Sequence, residues 1–164
     1  MNDNSDNVDS KATNQSIGTI SVFTVGFTKK TAAQFFEILR AAGVKRVIDV
    51  RLNNKSQLAG FSKRGDLQYF LKEILAVDYV EVPLCAPTPE LFDAFKRKNG
   101  RWEDYRRDFL HLMEDRRIEE KIDPALLADG CLLCSESQPH HCHRSLVLEY
   151  FQARWGNLDI NHLA

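Results

Sequence analysis

The fourteen residues from Cys131 to Arg144, CLLCSESQPHHCHR, gather three of the four cysteines and three of the five histidines in the chain. Thiols, imidazoles and a guanidinium packed this closely suit three kinds of chemistry. In the first, Cys142 is a reactive thiolate. It opens the helix expected from Leu146 to Trp155, where unpaired N–H groups and the helix dipole favour negative charge. His141, His143 and Arg144 beside it lower a thiol pKa further, and a nucleophilic cysteine needs such a setting with a base in reach. The spacing is not the Cys-x5-Arg loop of phosphatases and sulfurtransferases, because one residue separates Cys142 from Arg144.

In the second, Cys134 and Cys142 join two of His140, His141 and His143 to bind zinc or another transition metal, with Cys134, His141 and Cys142 as the core set. Cys131 does not belong to that set. Leu132 and Leu133 place it in a strand with Cys134, and a period of two turns the two thiols to opposite faces. In the third, Cys131 and Cys134 are small buried apolar residues, while Cys142, the histidines and Arg144 cap a helix.

Arg51 is a second candidate. Six basic residues, Lys45, Arg46, Arg51, Lys55, Lys63 and Arg64, occupy a stretch whose one acid is Asp49. With Arg144 opposite, Arg51 would give a crevice two guanidinium groups, which grip phosphate or carboxylate bidentately. The structural alternative pairs Arg51 with Asp49 or Glu136 as a buried ion pair. Asp49, Arg51 and Arg144 are therefore the candidate substrate-binding residues, and Glu136, Cys142 and His143 the candidate catalytic ones.

The elements that must position these groups follow from local pattern. Thr19 to Val25 is rich in β-branched residues and ends at Gly26, which reads as a strand. Thr31-Ala-Ala-Gln34 has the form of a capping box, and Gly43 stops the helix that follows. Val44 to Val50 is a second strand, so the segment is a βαβ unit with a parallel pair. A polar loop from Leu52 to Gly65 leads to a helix from Asp66, then a short strand from Tyr79 to Val82. Thr88 and Pro89 start a helical stretch that breaks near Asn99-Gly100 and ends at Arg117. A short helix through Leu126 and Leu127, a buried strand at Cys131 to Cys134, the helix to Trp155 and a strand at Leu158 to Ile160 complete the chain.

This order predicts an α/β fold with an open, mostly parallel sheet of about five strands and helices on both faces. Ligands bind such sheets beyond the carboxyl ends of the strands. Gly26, Asp49, Arg51, Cys85, Ser135, Glu136 and His162 stand at those ends and are expected to face one another.

Composition narrows the class. With 43% hydrophobic and 27% charged residues, the 164-residue chain can bury one proper core, read as a single domain over residues 17–164. Residues 1–16 offer little to bury and read as a disordered tail. The net charge of −1 gives no global pull toward polyanions, so nucleic-acid binding would need a local patch. No segment has the length or apolarity of a membrane span and no secretory signal is evident, so the expected compartment is the cytoplasm with reduced thiols.

The chain resembles the family catalogued as domain of unknown function 488. The resemblance runs from about Ile20 to the C-terminus and rests on TVGFT, VIDVR and CLLCSESQPHHCHR, with LCAPTPELFDAFKRKNGRWEDYRRDFLHLMEDRRIE similar to one branch. It implies an α/β fold with Asp49, Arg51, Glu136, Cys142, His143 and Arg144 at the motif positions along one edge, and it supplies no reaction. Leu84-Cys85-Ala86 departs from the pattern, which separates Cys85 from the shared site. The residues themselves leave three functions. One is an enzyme acting on an anionic small molecule, a nucleotide or a nucleic-acid phosphate. Another is a non-catalytic nucleic-acid binding or adaptor module using the basic loop from Lys45 to Arg64. The third is a metal-binding protein using Cys134, Cys142 and a neighbouring histidine.

Overall fold

The computed structural model describes residues 18–55 and 59–164; the segment 1–16 expected to be disordered lies outside the described residues. Five strands form one parallel sheet in the order β3-β2-β4-β1-β5. They are β1 (Ile20–Gly26), β2 (Arg46–Asp49), β3 (Asp78–Glu81), β4 (Gly130–Cys134) and β5 (Leu158–His162). All five residues of β4 are buried, as a central strand with helices over both faces requires.

The helix α1 (Ala32–Ala41) begins as its sequence dictates. Gln34 N–H donates to Thr31 Oγ1 at 3.2 Å, and Thr31 N–H donates to Gln34 Oε1 at 2.9 Å, the two bonds of a capping box. Its Phe35, Phe36 and Leu39 pack with Val25, Val47, Cys131 and Leu133 on one face of the sheet. The helix α2 (Arg64–Phe70), which runs into a π turn at Leu71–Leu75, covers the same face through Leu67 and Leu71.

The opposite face carries the second half of the chain: α3 (Pro89–Lys96), α4 (Trp102–Arg116), the short α5 (Ile118–Lys121) and α6 (Pro124–Leu127), and α7 (His143–Trp155). Phe109, Met113, Leu146, Val147 and Phe151 pack there with Val22, Ile48 and Leu132. Alternation along β4 therefore divides its cysteines as a pleated strand must. Cys131 packs against α1, and Cys134 faces Cys142 across the start of α7.

One pairing differs from the local pattern. β1 and β2 are parallel but do not touch, because β4 lies between them and pairs with both. The chain leaves β1 toward β2 by way of α1, and leaves β4 toward β5 by way of α7. Connections that part on opposite faces open a crevice at the carboxyl ends of the strands between them.

Candidate active site

Cys134 ends β4, Cys142 is the N-cap of α7, and Arg144 belongs to the first turn of that helix. The helix starts one turn earlier than its apolar residues suggest, which places His143 and Arg144 on rigid backbone. Arg144 has no solvent exposure. Its Nη1 donates to the Glu136 carbonyl at 2.6 Å and lies 3.0 Å from Cys134 Sγ and 3.5 Å from Cys142 Sγ. Its Nε lies 3.3 Å from Thr24 Oγ1, and its Nη2 is buried with no partner.

No carboxylate oxygen among the described residues lies within 4.0 Å of this guanidinium. An isolated buried cation is costly, so the opposite charge must come from the groups that Arg144 touches. Of these only the two thiols can ionise. Their sulfurs are 2.7 Å apart.

Cys134 is the better seat for the charge. Its sulfur receives Arg144 Nη1, the Glu136 N–H at 3.3 Å and the Cys142 thiol. Burial opposes its ionisation, but the Cys142 donor and then the Arg144 guanidinium hold its pKa down to about 6. Donating to Cys134, and then burial, push the Cys142 thiol the other way. The surroundings thus favour the charge on Cys134 and the proton on Cys142. A linear reading assigns that charge to Cys142, because it sees the helix start and cannot see three donors converging on the end of a strand.

A histidine stands beside the pair. His143 Nε2 lies 2.8 Å from the Val50 carbonyl, and a carbonyl only accepts, so Nε2 carries hydrogen and Nδ1 is free to take a proton. Donor atoms of Cys134, Cys142 and His143 all lie within 4.8 Å of one another. Two sulfurs and an imidazole nitrogen are ligand types that zinc accepts. However, a divalent ion on two thiolates beside Arg144 would leave a net positive charge in a buried site, whereas one thiolate balances Arg144 alone. His141 is not among those donors; its ring lies tilted against Trp102 at 4.7 Å and His140 at 3.9 Å between ring centroids.

Asp49 and Arg51 serve each other. Arg51 Nε and Nη2 donate to Asp49 Oδ1 and Oδ2 at 2.8 and 2.7 Å, and Nη1 donates to the Ser62 carbonyl at 2.8 Å. Tyr79 adds its hydroxyl to Asp49 Oδ2 at 2.5 Å. Of the other basic residues in that stretch, Lys45 and Arg46 are at the amino end of β2, Arg46 facing Asp78, while Arg64 pairs with Glu81 at its carboxyl end. The basic stretch is thus divided between opposite ends of the sheet.

Glu136 contributes through its backbone to Arg144 and Cys134, and its half-exposed carboxylate pairs with Lys96 Nζ at 2.8 Å. Gly26 is what allows that loop to come so close. A Cβ built on Gly26 would stand 1.6 Å from the Glu136 carbonyl oxygen, so the last residue of β1 must lack a side chain. Local sequence shows only a glycine after a strand, and Thr24, Lys96 and Tyr105 carry no marker of a site. Cys85 lies elsewhere in the core, where burial pushes its thiol up to about 12.

Above the sulfurs is a cavity of about 120 Å³, with Cys134, Cys142 and His143 at its floor and Arg51, Phe95 and Lys96 among its walls. A cavity of roughly 150 Å³ takes a benzene molecule, so a group of about half a dozen heavy atoms fits.

The fold and the site together define a parallel α/β protein with a Cys-x-Glu-x5-Cys-His-Arg loop at the carboxyl ends of its strands. The chain belongs to the family described as domain of unknown function DUF488, whose model matches residues 31–151. No curated protein and no solved structure matches the chain.

Proposed function

We propose that the protein is an enzyme that acts on a small anionic substrate through a thiolate shared by Cys134 and Cys142. The observation that carries this reading is the fully buried Arg144, which has two thiols and no carboxylate to balance its charge. Structural cysteines do not require an arginine, and buried arginines are ordinarily paired with acids. Here the cation favours a thiolate on Cys134, a fully buried residue that a small molecule reaches only through the cavity it lines, and a positively charged neighbour is one requirement of nucleophilic catalysis by cysteine.

The roles divide by position. Cys134 is the nucleophile and Arg144 stabilises its charge. His143, with Nδ1 free, accepts or returns a proton. Arg51 is held by Asp49 as a fixed wall. Lys96 is the cation an incoming anion can draw from Glu136, because a half-exposed pair is worth little and exchanges readily.

The test is thiolate absorbance against pH in the full chain, with the alkylation rate followed in parallel. One thiolate should form with a midpoint of about 6, and the step should vanish in Cys134→Ser. If no thiol ionises below the ordinary range for cysteine, near 8.5, the reading fails.

A further inference from the structure

The nucleophile has a second sulfur touching it, and a lone catalytic thiolate would not need one. Cys142 Sγ is 2.7 Å from Cys134 Sγ, about 0.7 Å beyond disulfide length. The two residues come from different elements, the end of β4 and the N-cap of α7, joined by the seven-residue loop 135–141. That loop is tied down at both ends. Ser135 O accepts from Thr28 N–H and its hydroxyl, and Ser145 Oγ donates to Pro139 O at 2.7 Å. Both sulfurs line the same cavity and are otherwise buried, so a reagent must come to either through that space.

We propose that Cys134 and Cys142 form a dithiol–disulfide couple that exchanges with a low-molecular-weight disulfide. The proposal rests on the thiolate reading above and adds to it a resolving thiol and a co-substrate class. The Cys134 thiolate attacks one sulfur of the incoming disulfide, whose S–S bond breaks, and one small thiolate departs. Cys142 then gives its proton to His143 Nδ1 and attacks Cys134 Sγ. The mixed disulfide breaks and a second small thiolate leaves, and the proton on His143 passes to one of the two released thiolates. Two protein sulfurs are oxidised, and one small disulfide is reduced to one thiol and one thiolate. In the reverse direction the same steps reduce the protein.

Arg144 sets the direction. In the dithiol form it has a thiolate against it; in the disulfide form it has none and stays buried without a counter-charge. The fold therefore favours the reduced state, and the pair is an oxidant toward small thiols.

The experiment uses the full reduced chain and a large excess of oxidised glutathione as probe, enough to drive a couple that favours the dithiol, with acid quenching, alkylation and peptide mass mapping. The wild type should lose two alkylatable thiols and yield a Cys134–Cys142 linked peptide. Cys142→Ser should stop at one glutathione adduct on Cys134, and Cys134→Ser should give neither product. In a glutathione buffer, Arg144→Met should raise the ratio of oxidised to reduced protein by about tenfold, the size of one charged hydrogen bond. Should Arg144→Met not fold, Arg144→Lys keeps the charge and should shift the ratio by less than the loss of a full hydrogen bond would. A Cys142→Ser protein that takes up no glutathione on Cys134, or a disulfide involving Cys85 or Cys131, overturns the proposal. If Cys134 alkylates at low pH but never forms the internal disulfide, the couple is excluded while the thiolate reading stands.

Discussion

Two arginines are buried at the carboxyl ends of this sheet, and the fold treats them differently. Arg51 meets a carboxylate head-on, two N–H groups on two oxygens, with a backbone carbonyl taking a third. Its charge is satisfied within the protein by the carboxylate of Asp49. Arg144 has the same burial, but its neighbours are two sulfurs, a hydroxyl and a carbonyl, and one nitrogen has no partner. A carboxylate gives up its charge reluctantly at neutral pH, whereas a thiol acquires one only when a cation pays the cost. The first arginine is paired as a structural ion is; the second, on the proposed reading, draws a charge onto the sulfurs beside it.

Breaking the Arg51 side should have the largest effect on stability. Asp49→Ala leaves a buried cation unpaired and takes the acceptor from Tyr79, so urea unfolding should show a loss of about 3–5 kcal/mol. A loss below about 1 kcal/mol would mean that the pair is not the structural member of the comparison.

Gly26→Ala acts on the other side. Its new methyl group collides with the Glu136 carbonyl, displacing the loop that brings Arg144 and Cys134 together. The expected cost is about 1–3 kcal/mol of stability, with the thiolate midpoint moving up toward that of an ordinary cysteine. An unchanged midpoint would show that the loop can shift without disturbing the sulfurs.

Arg144→Met should cost less than Asp49→Ala, about 1–2 kcal/mol, because Cys134 can take up a proton where Asp49's partner cannot lose one. The pH dependence sharpens this. Cys134 ionises at about 6 in the fold against 9.0 for its reference value. A depressed pKa contributes stability that is complete above the unfolded value and disappears as pH falls through the folded one. Wild-type stability should therefore rise from about pH 6 to about pH 9. The Cys142 thiol, shifted upward, works in the opposite sense above that range. Denaturant titrations across these pH values should show the rise in the wild type and a flatter profile in both Arg144→Met and Cys134→Ser.

The smallest effect belongs to the surface. Lys96→Ala removes a half-exposed pair and should change stability by less than about 0.5 kcal/mol. Inhibition of Cys134 alkylation by small anions should weaken in this variant, whereas equal inhibition would remove Lys96 from the substrate's path.

Much of this architecture was legible because the signals are local. The capping box at Thr31, the Asn99-Gly100 break and the alternation that separates Cys131 from Cys134 each depend on a few neighbouring residues. The insertion of β4 between β1 and β2 was not legible, since strand neighbours are chosen by burial across the whole sheet. The site was readable to the same degree. Cys142, His143 and Arg144 announce themselves by type, whereas Cys134 was read from sequence as a metal ligand or a buried apolar residue and not as the seat of a thiolate. Its role depends on donors from Glu136, Cys142 and Arg144, and on Gly26, which admits the loop that carries them.

The position of β4 between its neighbours also bears on how the chain reaches this state. Cys134 meets Arg144 only after a strand made late in the chain has entered between two made early, a long-range step that folds slowly. Until then each thiol is an ordinary one, mostly protonated and a poor nucleophile at neutral pH. On the proposed reading the activation of Cys134 therefore belongs to the finished sheet and to no part of the chain alone.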